Sequence, residues 1–132
     1  MADHANAERL RKGYEAFASG DLDALRNEFF APEIVFHVGG DNRLSGTYDG
    51  VDEVFRFFGE LMGATGGSFK LEIHDVVAND EHAVGLVRTS AERDGKRLDQ
   101  NVAHIFHINA DGKVTENWTL SENTRVADEF FG

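Results

Sequence analysis

LDQNVAHIFHINADGKVTENWTL, residues 98–120, alternates apolar and polar side chains on either side of an Asn-Ala-Asp-Gly turn. A period of two puts successive side chains on opposite faces of a strand, and the turn residues tolerate positive φ or bond back to the backbone. The segment therefore predicts two long strands, 98–108 and 114–120, joined as an antiparallel hairpin. Working outward, the same period governs Phe69 to Ala78 and Ala83 to Glu92, with turns at Asn79-Asp80-Glu81 and Arg93-Asp94-Gly95-Lys96. The second half of the chain is thus a meander of hairpins.

Before residue 68 the period is near 3.6. Leu10, Tyr14 and Phe17 follow helical spacing from about Asp3 to Ala18, and Ser19-Gly20-Asp21 supplies a stop and the next N-cap. Leu22, Leu25 and Phe29 form the stripe of a short second helix, which ends at Ala31-Pro32 because the residue before proline is pushed out of the helical region. A strand from Ile34 to Val38 follows, then turn chemistry at Gly39-Gly40-Asp41-Asn42. Tyr48-Asp49-Gly50 leads into a third helix carrying Val51, Val54, Phe55, Phe58, Leu61 and Met62, closed by Gly63 to Gly67. Helices first and strands afterwards predict an α+β fold: a cone-shaped, curved antiparallel sheet wrapped on three N-terminal helices, with an internal pocket at its open end. One proline and no repeat or low-complexity segment leave no place to divide the chain, so residues 1–132 read as a single domain.

Charge and composition exclude several classes of partner. Twenty-four Asp and Glu against 13 Lys and Arg give a net charge of −11, which repels phosphate backbones and anionic bilayers. Neither nucleic acid nor membrane is an expected partner. The absence of cysteine removes disulfides and thiolate metal ligands. The polar N-terminal stretch MADHANAERLRKG has no apolar signal region, and no window holds the roughly 18 apolar residues that a span needs, so a cytoplasmic protein is the expectation.

Two histidines carry the candidate chemistry. His104 shares a strand face with Val102, Phe106 and Ile108, the face expected to be buried. An imidazole there loses its hydration and needs a partner or a shifted pKa; it is either a core histidine bonded to a backbone carbonyl or a functional group. His37 shares a face with Val35, while Ile34, Phe36 and Val38 make the other face equally apolar, so periodicity leaves open which side meets the helices. His107 falls opposite His104, with Ala103 and Ile105, and reads as surface or interface. Trp118 alternates with Val114, Glu116 and Leu120, and Asn117 with Thr115 and Thr119; one of these two sets lines the concave side. Phe55, Phe58, Leu61 and Met62 are core residues that can double as an apolar pocket wall. His104 and His107 point to opposite faces, and no third ligand is indicated by spacing to join His37 and His104 in a facial triad, so no metal is expected. The serine elbow, phosphate loop and dinucleotide glycine pattern are absent as well, and no cofactor is implied.

The order of elements resembles the SnoaL-like, ketosteroid-isomerase-like branch of the nuclear transport factor two superfamily. YEAFASGDLDAL, FFAPEIVFHV, LSGTYDGVDEVFRFF and VAHIFHINADGKVTENW carry the likeness, from Ala7 to Leu120. The resemblance implies a cone enclosing a ligand pocket and a homodimer formed through the sheet. It also implies that His37 stands where ketosteroid isomerases keep a carboxylate base, and His104 where they keep the neutral acid that supports the enolate oxygen. Their oxyanion tyrosine aligns with Gly13, which displaces Tyr14 to another part of the helix face. The aspartate of polyketide cyclases aligns with Thr119.

Together these readings predict His37 and His104 as catalytic residues in one concavity. Tyr14, Phe55, Phe58, Met62, Asn117, Trp118 and Thr119 are the predicted contacts for a small apolar, aromatic or polyketide-like molecule. The expected activity is an isomerase, cyclase, lyase or hydrolase using histidine acid/base chemistry on a carbonyl or hydroxy compound. The alternative is a non-catalytic ligand-binding or dimerisation module.

Overall fold

The computed structural model describes residues 4–132. Helix α1 (Ala5–Ser19) begins where the His4 ring accepts a bond from the Asn6 N–H, and ends at Gly20, whose φ of 75° lets its amide reach the carbonyls of Ala16 and Phe17. The Asp21 carboxylate then accepts from the Ala24 N–H to open α2 (Leu22–Ala24), which runs on as a π-helical turn, Leu25–Phe29. Strand β1 (Phe30–Val38) starts sooner than the sequence suggested, with Pro32 inside it. Its register against the neighbouring strand shifts between Phe30 and Val35, an irregularity of the kind that accommodates a residue without an N–H.

Two elements lie outside the sequence reading. Strand β2 (Gly46–Asp49) pairs antiparallel with β1, and α4 (Thr124–Phe131) follows the last strand, capped by the Asn123 side chain. Between them come α3 (Val51–Ala64), β3 (Lys70–Ala78), β4 (His82–Arg93), β5 (Lys96–Ile108) and β6 (Val114–Ser121). The sheet runs β2-β1-β6-β5-β4-β3, antiparallel except for the parallel pair β1–β6, and it does not close on itself.

Burial drives the helices onto one face of this sheet. Leu10 and Tyr14 of α1, Val54, Phe57 and Leu61 of α3, and Phe130 and Phe131 of α4 are all buried, as are Ile34, Phe36, Val87, Leu98, Val102 and Phe106 of the strands beneath them. Phe36 meets Phe57 and Phe58 at ring separations of 6.3 and 5.7 Å, and Phe30 adds Phe55 and Phe58, both at 6.2 Å. These aromatic pairs join β1 to α3, each worth about 0.5–1.5 kcal/mol beyond its buried area. Among the described residues no helix is long and apolar enough to cross a membrane.

Candidate functional site

The helices do not fill the concave face. A cavity of about 170 Å³ remains between them and the sheet. One wall is aromatic and aliphatic, made by Phe17 of α1, Phe57, Phe58 and Leu61 of α3, and Ala127 and Phe131 of α4. The sheet wall is partly polar: Thr89 of β4, Gln100 and His104 of β5, and Asn117, Thr119 and Ser121 of β6. No aspartate or glutamate lines it among the described residues.

His104 is held by Tyr14. The tyrosine oxygen lies 2.7 Å from Nδ1 of the imidazole, with the two rings at a shallow angle of 28°. Burial pushes the imidazole from 6.5 to about 4, so it is neutral near pH 7, and burial also pushes the tyrosine pKa up, so its hydroxyl keeps its proton. Nδ1 is the only hydrogen-bond partner of the hydroxyl among the described residues; with the O–H donating to it the ring carries its own proton on Nε2 and only that N–H is left unpaired, whereas the reverse sense would leave both the O–H and Nε2 without a partner. That N–H has no protein partner among the described residues, and the ring lines the cavity. The local backbone makes room for the pair. A side chain at Gly85, which faces His104 across the β4–β5 ladder, would overlap the tyrosine hydroxyl.

Two further polar groups line this wall without complete pairing. Asn117, 1% exposed, donates from Nδ2 to Thr119 Oγ1 at 3.0 Å, and its Oδ1 has no donor. Gln100, 5% exposed, has an unpaired Oε1. An unmade hydrogen bond of this kind costs about 1–3 kcal/mol.

The structure gathers Tyr14, Phe58, His104, Asn117 and Thr119 around the cavity as expected from sequence. It places the others elsewhere. His37 and His104 are on opposite faces of the sheet, because Phe36 and Val38 occupy the inner side of β1 and Phe36 packs against α3. The expectation that both imidazoles share one concavity is therefore corrected. His37 stacks on Trp118 at 5.1 Å and meets Glu116 Oε2 at 2.6 Å, and His107 meets the same indole edge-on at 4.8 Å. Trp118 belongs to this outer cluster and not to the pocket. Phe55 packs on Phe30 and Phe58 beneath the Arg26 guanidinium, and Met62 is 38% exposed on α3.

The simple alternation expected for β6 also fails. His107 pairs with Glu116 but Ile108 pairs with Val114, so Thr115 is an extra residue and Val114 joins Asn117 in lining the cavity. Gln100 was passed over in the sequence although it falls four residues before His104 and two before Val102, on the same face. Among the described residues no group of three or more His, Cys, Asp or Glu side chains is arranged to hold a metal.

A curved sheet closed by helices over a mainly apolar cavity, with one neutral hydrogen-bonding imidazole inside, defines an α+β small-molecule-pocket protein. The chain belongs to the SnoaL-like domain family, whose model matches residues 10–117. It is 35% identical over 116 residues to uncharacterized proteins of Mycobacterium tuberculosis and Mycobacterium bovis, covering 87% of this chain and 87% of each relative. Among solved structures it is similar to Bal32a, from a soil-derived mobile gene cassette, with a TM-score of 0.91 and 36% identity over 96% of both chains. IdmH of Streptomyces antibioticus, a candidate polyketide cyclase, shares the fold with a TM-score of 0.75 and 21% identity, over 96% of this chain and 99% of that one.

Proposed function

We propose that the protein binds a small, largely apolar molecule carrying a carbonyl or hydroxyl oxygen, and that His104 donates a hydrogen bond from Nε2 to that oxygen. The observation that carries this reading is a neutral imidazole, fixed by Tyr14, inside a mainly apolar cavity. A cavity of about 150 Å³ accepts benzene, so one of about 170 Å³ takes a single substituted ring. The unpaired oxygens of Gln100 and Asn117 support a ligand that also brings donors, because pairing them recovers part of their desolvation cost.

In a catalytic role, a neutral imidazole polarises a carbonyl and stabilises the oxygen as negative charge develops, as an isomerase, cyclase or lyase requires. The raised tyrosine pKa keeps Tyr14 a donor, so the pair supports charge on the ligand without passing the tyrosine proton onward. A lining without a carboxylate among the described residues favours a second reading, a binding module that holds its ligand unconverted. In either role the outer sheet face, with Leu86 and Leu120 exposed beside Trp118, supports pairing of two copies.

Acetophenone, an apolar single-ring ketone, is a suitable probe. Saturable binding by NMR titration is expected, weakened about three- to tenfold by His104→Ala and unchanged by His37→Ala. Failure to bind, or equal affinity in His104→Ala, would overturn the assignment. Faster exchange of the methyl hydrogens in D₂O with protein present would select the catalytic role, and unchanged exchange the binding one.

A further inference from the structure

The cavity lining carries a cation. Arg9 of α1 is the only charged side chain of the lining among the described residues, and it is held from two sides. Its Nη1 donates to Asn6 Oδ1 at 2.6 Å. Asn6 is itself 3% exposed and tied by Nδ2 to the carbonyls of Asn79 and Asp80 in the β3–β4 turn, at 2.9 and 3.1 Å. On its other side the guanidinium lies so close to Gly112, in the β5–β6 turn, that a Cβ there would sit 2.7 Å from the guanidinium carbon. Both contacts restrict a side chain that ordinarily carries about 2 kcal/mol of rotamer entropy.

Among the described residues no carboxylate lies within ion-pair distance of Arg9. Acidic residues outnumber basic ones by 24 to 13, and six of the nine arginines, Arg11, Arg26, Arg56, Arg88, Arg93 and Arg97, lie within ion-pair distance of an Asp or Glu; of the other three, Arg9, Arg43 and Arg125, only Arg9 lines the cavity among the described residues. Arg9 instead has a neutral amide on Nη1, and its Nε and Nη2 have no partner among the described residues. Those two N–H groups form one edge of the planar guanidinium, the spacing that matches both oxygens of a carboxylate.

We infer that Arg9 is a specificity-determining residue that binds the carboxylate of the pocket's ligand, making that ligand a single-ring or similarly small apolar acid. The inference rests on the pocket reading above and adds the charge of the molecule. A single cation suits a monoanion; a phosphate dianion ordinarily gathers several donors, and the other lining residues offer it no second charge. With the anion at Arg9, the apolar body extends between the phenylalanine wall and the polar strands toward His104. Asn6 and Gly112 act through Arg9 by setting its position.

The test compares benzoate with benzamide, its neutral isostere, by calorimetric titration of the full chain at neutral pH. Wild type is expected to bind benzoate about tenfold or more tightly than benzamide, and high salt is expected to shrink that margin, since Arg9 is exposed. Arg9→Gln brings the two affinities together by weakening benzoate binding far more than benzamide binding. Arg9→Lys keeps part of the preference, through charge without the paired donors. A wild type that favours benzamide, ignores the difference, or binds acetophenone but not benzoate overturns the inference and leaves the pocket reading standing. So does a benzoate preference that persists in Arg9→Gln. If benzoate, benzamide and acetophenone all fail to bind, the pocket reading falls and takes this inference with it.

Discussion

Acidification tests whether the imidazole of His104 is as buried as its surroundings imply. In the unfolded chain it takes up a proton near pH 6.5, and in the fold only near pH 4. A depressed folded value means that the stabilising difference is fully present above pH 6.5 and is lost as pH falls toward 4, because the unfolded state binds the proton first. At about 1.4 kcal/mol per pH unit, that interval amounts to roughly 3 kcal/mol. This is a large share of the 5–15 kcal/mol that holds a typical domain together. The comparison is between wild type and His104→Gln, whose amide oxygen can still accept from Tyr14, so that pH effects common to both chains cancel. Urea unfolding at steps from about pH 7 to about pH 4.5 should show wild type losing roughly 2 kcal/mol more than the variant. The ring's nitrogen resonances should report the Nε2–H tautomer throughout that interval. Parallel stability curves, or a folded-state titration of His104 close to 6.5, would refute the burial and with it the neutral-donor role.

Two further outcomes follow from the packing. Gly85→Ala puts a methyl where the Tyr14 hydroxyl lies; a loss of about 1–3 kcal/mol in denaturant unfolding is expected, together with loss of the Tyr14–His104 hydrogen bond by NMR. A stable Gly85→Ala protein with that bond intact would show that the contact is looser than described. Light scattering at micromolar concentration should give the mass of two protomers, and Leu120→Lys, in the middle of the exposed outer face, should shift it toward one; a monomeric wild type would remove that face as the pairing surface.

The local rules carried the sequence reading a long way and stopped at identifiable places. Periods of 3.6 and 2 located α1, α3 and four strands, since Leu10, Tyr14, Val54 and Leu61 on one side and Leu98, Val102 and Phe106 on the other all answer to the same buried layer. Helix α4 was legible in principle: Asn123 caps a segment in which Val126, Phe130 and Phe131 fall on one side. Strand β2 was not, because four residues with only Tyr48 buried carry too little pattern. The face of His37 could not be read from β1 alone. Val35 and Phe36 are both apolar, and the choice between them was made by Phe57 and Phe58 of a helix distant in sequence. Trp118 misled for a different reason: the extra residue at Thr115 breaks the alternation, and nothing in VTENW marks it. His104 was placed correctly because Val102, Phe106 and Ile108 left its side of β5 no alternative, whereas its partnership with Tyr14 spans 90 residues and needed the fold.

The stack of His37, Trp118 and His107 on the outer face decides how this protein can be watched in solution. Trp118 is the only tryptophan, and it stands on the opposite side of the sheet from the cavity, between two imidazoles. Its emission therefore reports what happens on that outer surface, such as the arrival of a second protomer, and is silent about occupancy within. A ligand in the cavity has no direct contact with the indole, so a fluorescence titration read at the tryptophan band is a poor record of occupancy. The chromophore with a view of the interior is Tyr14, whose ring lines the cavity, so ligand occupancy is an observable of tyrosine absorbance and assembly an observable of tryptophan emission.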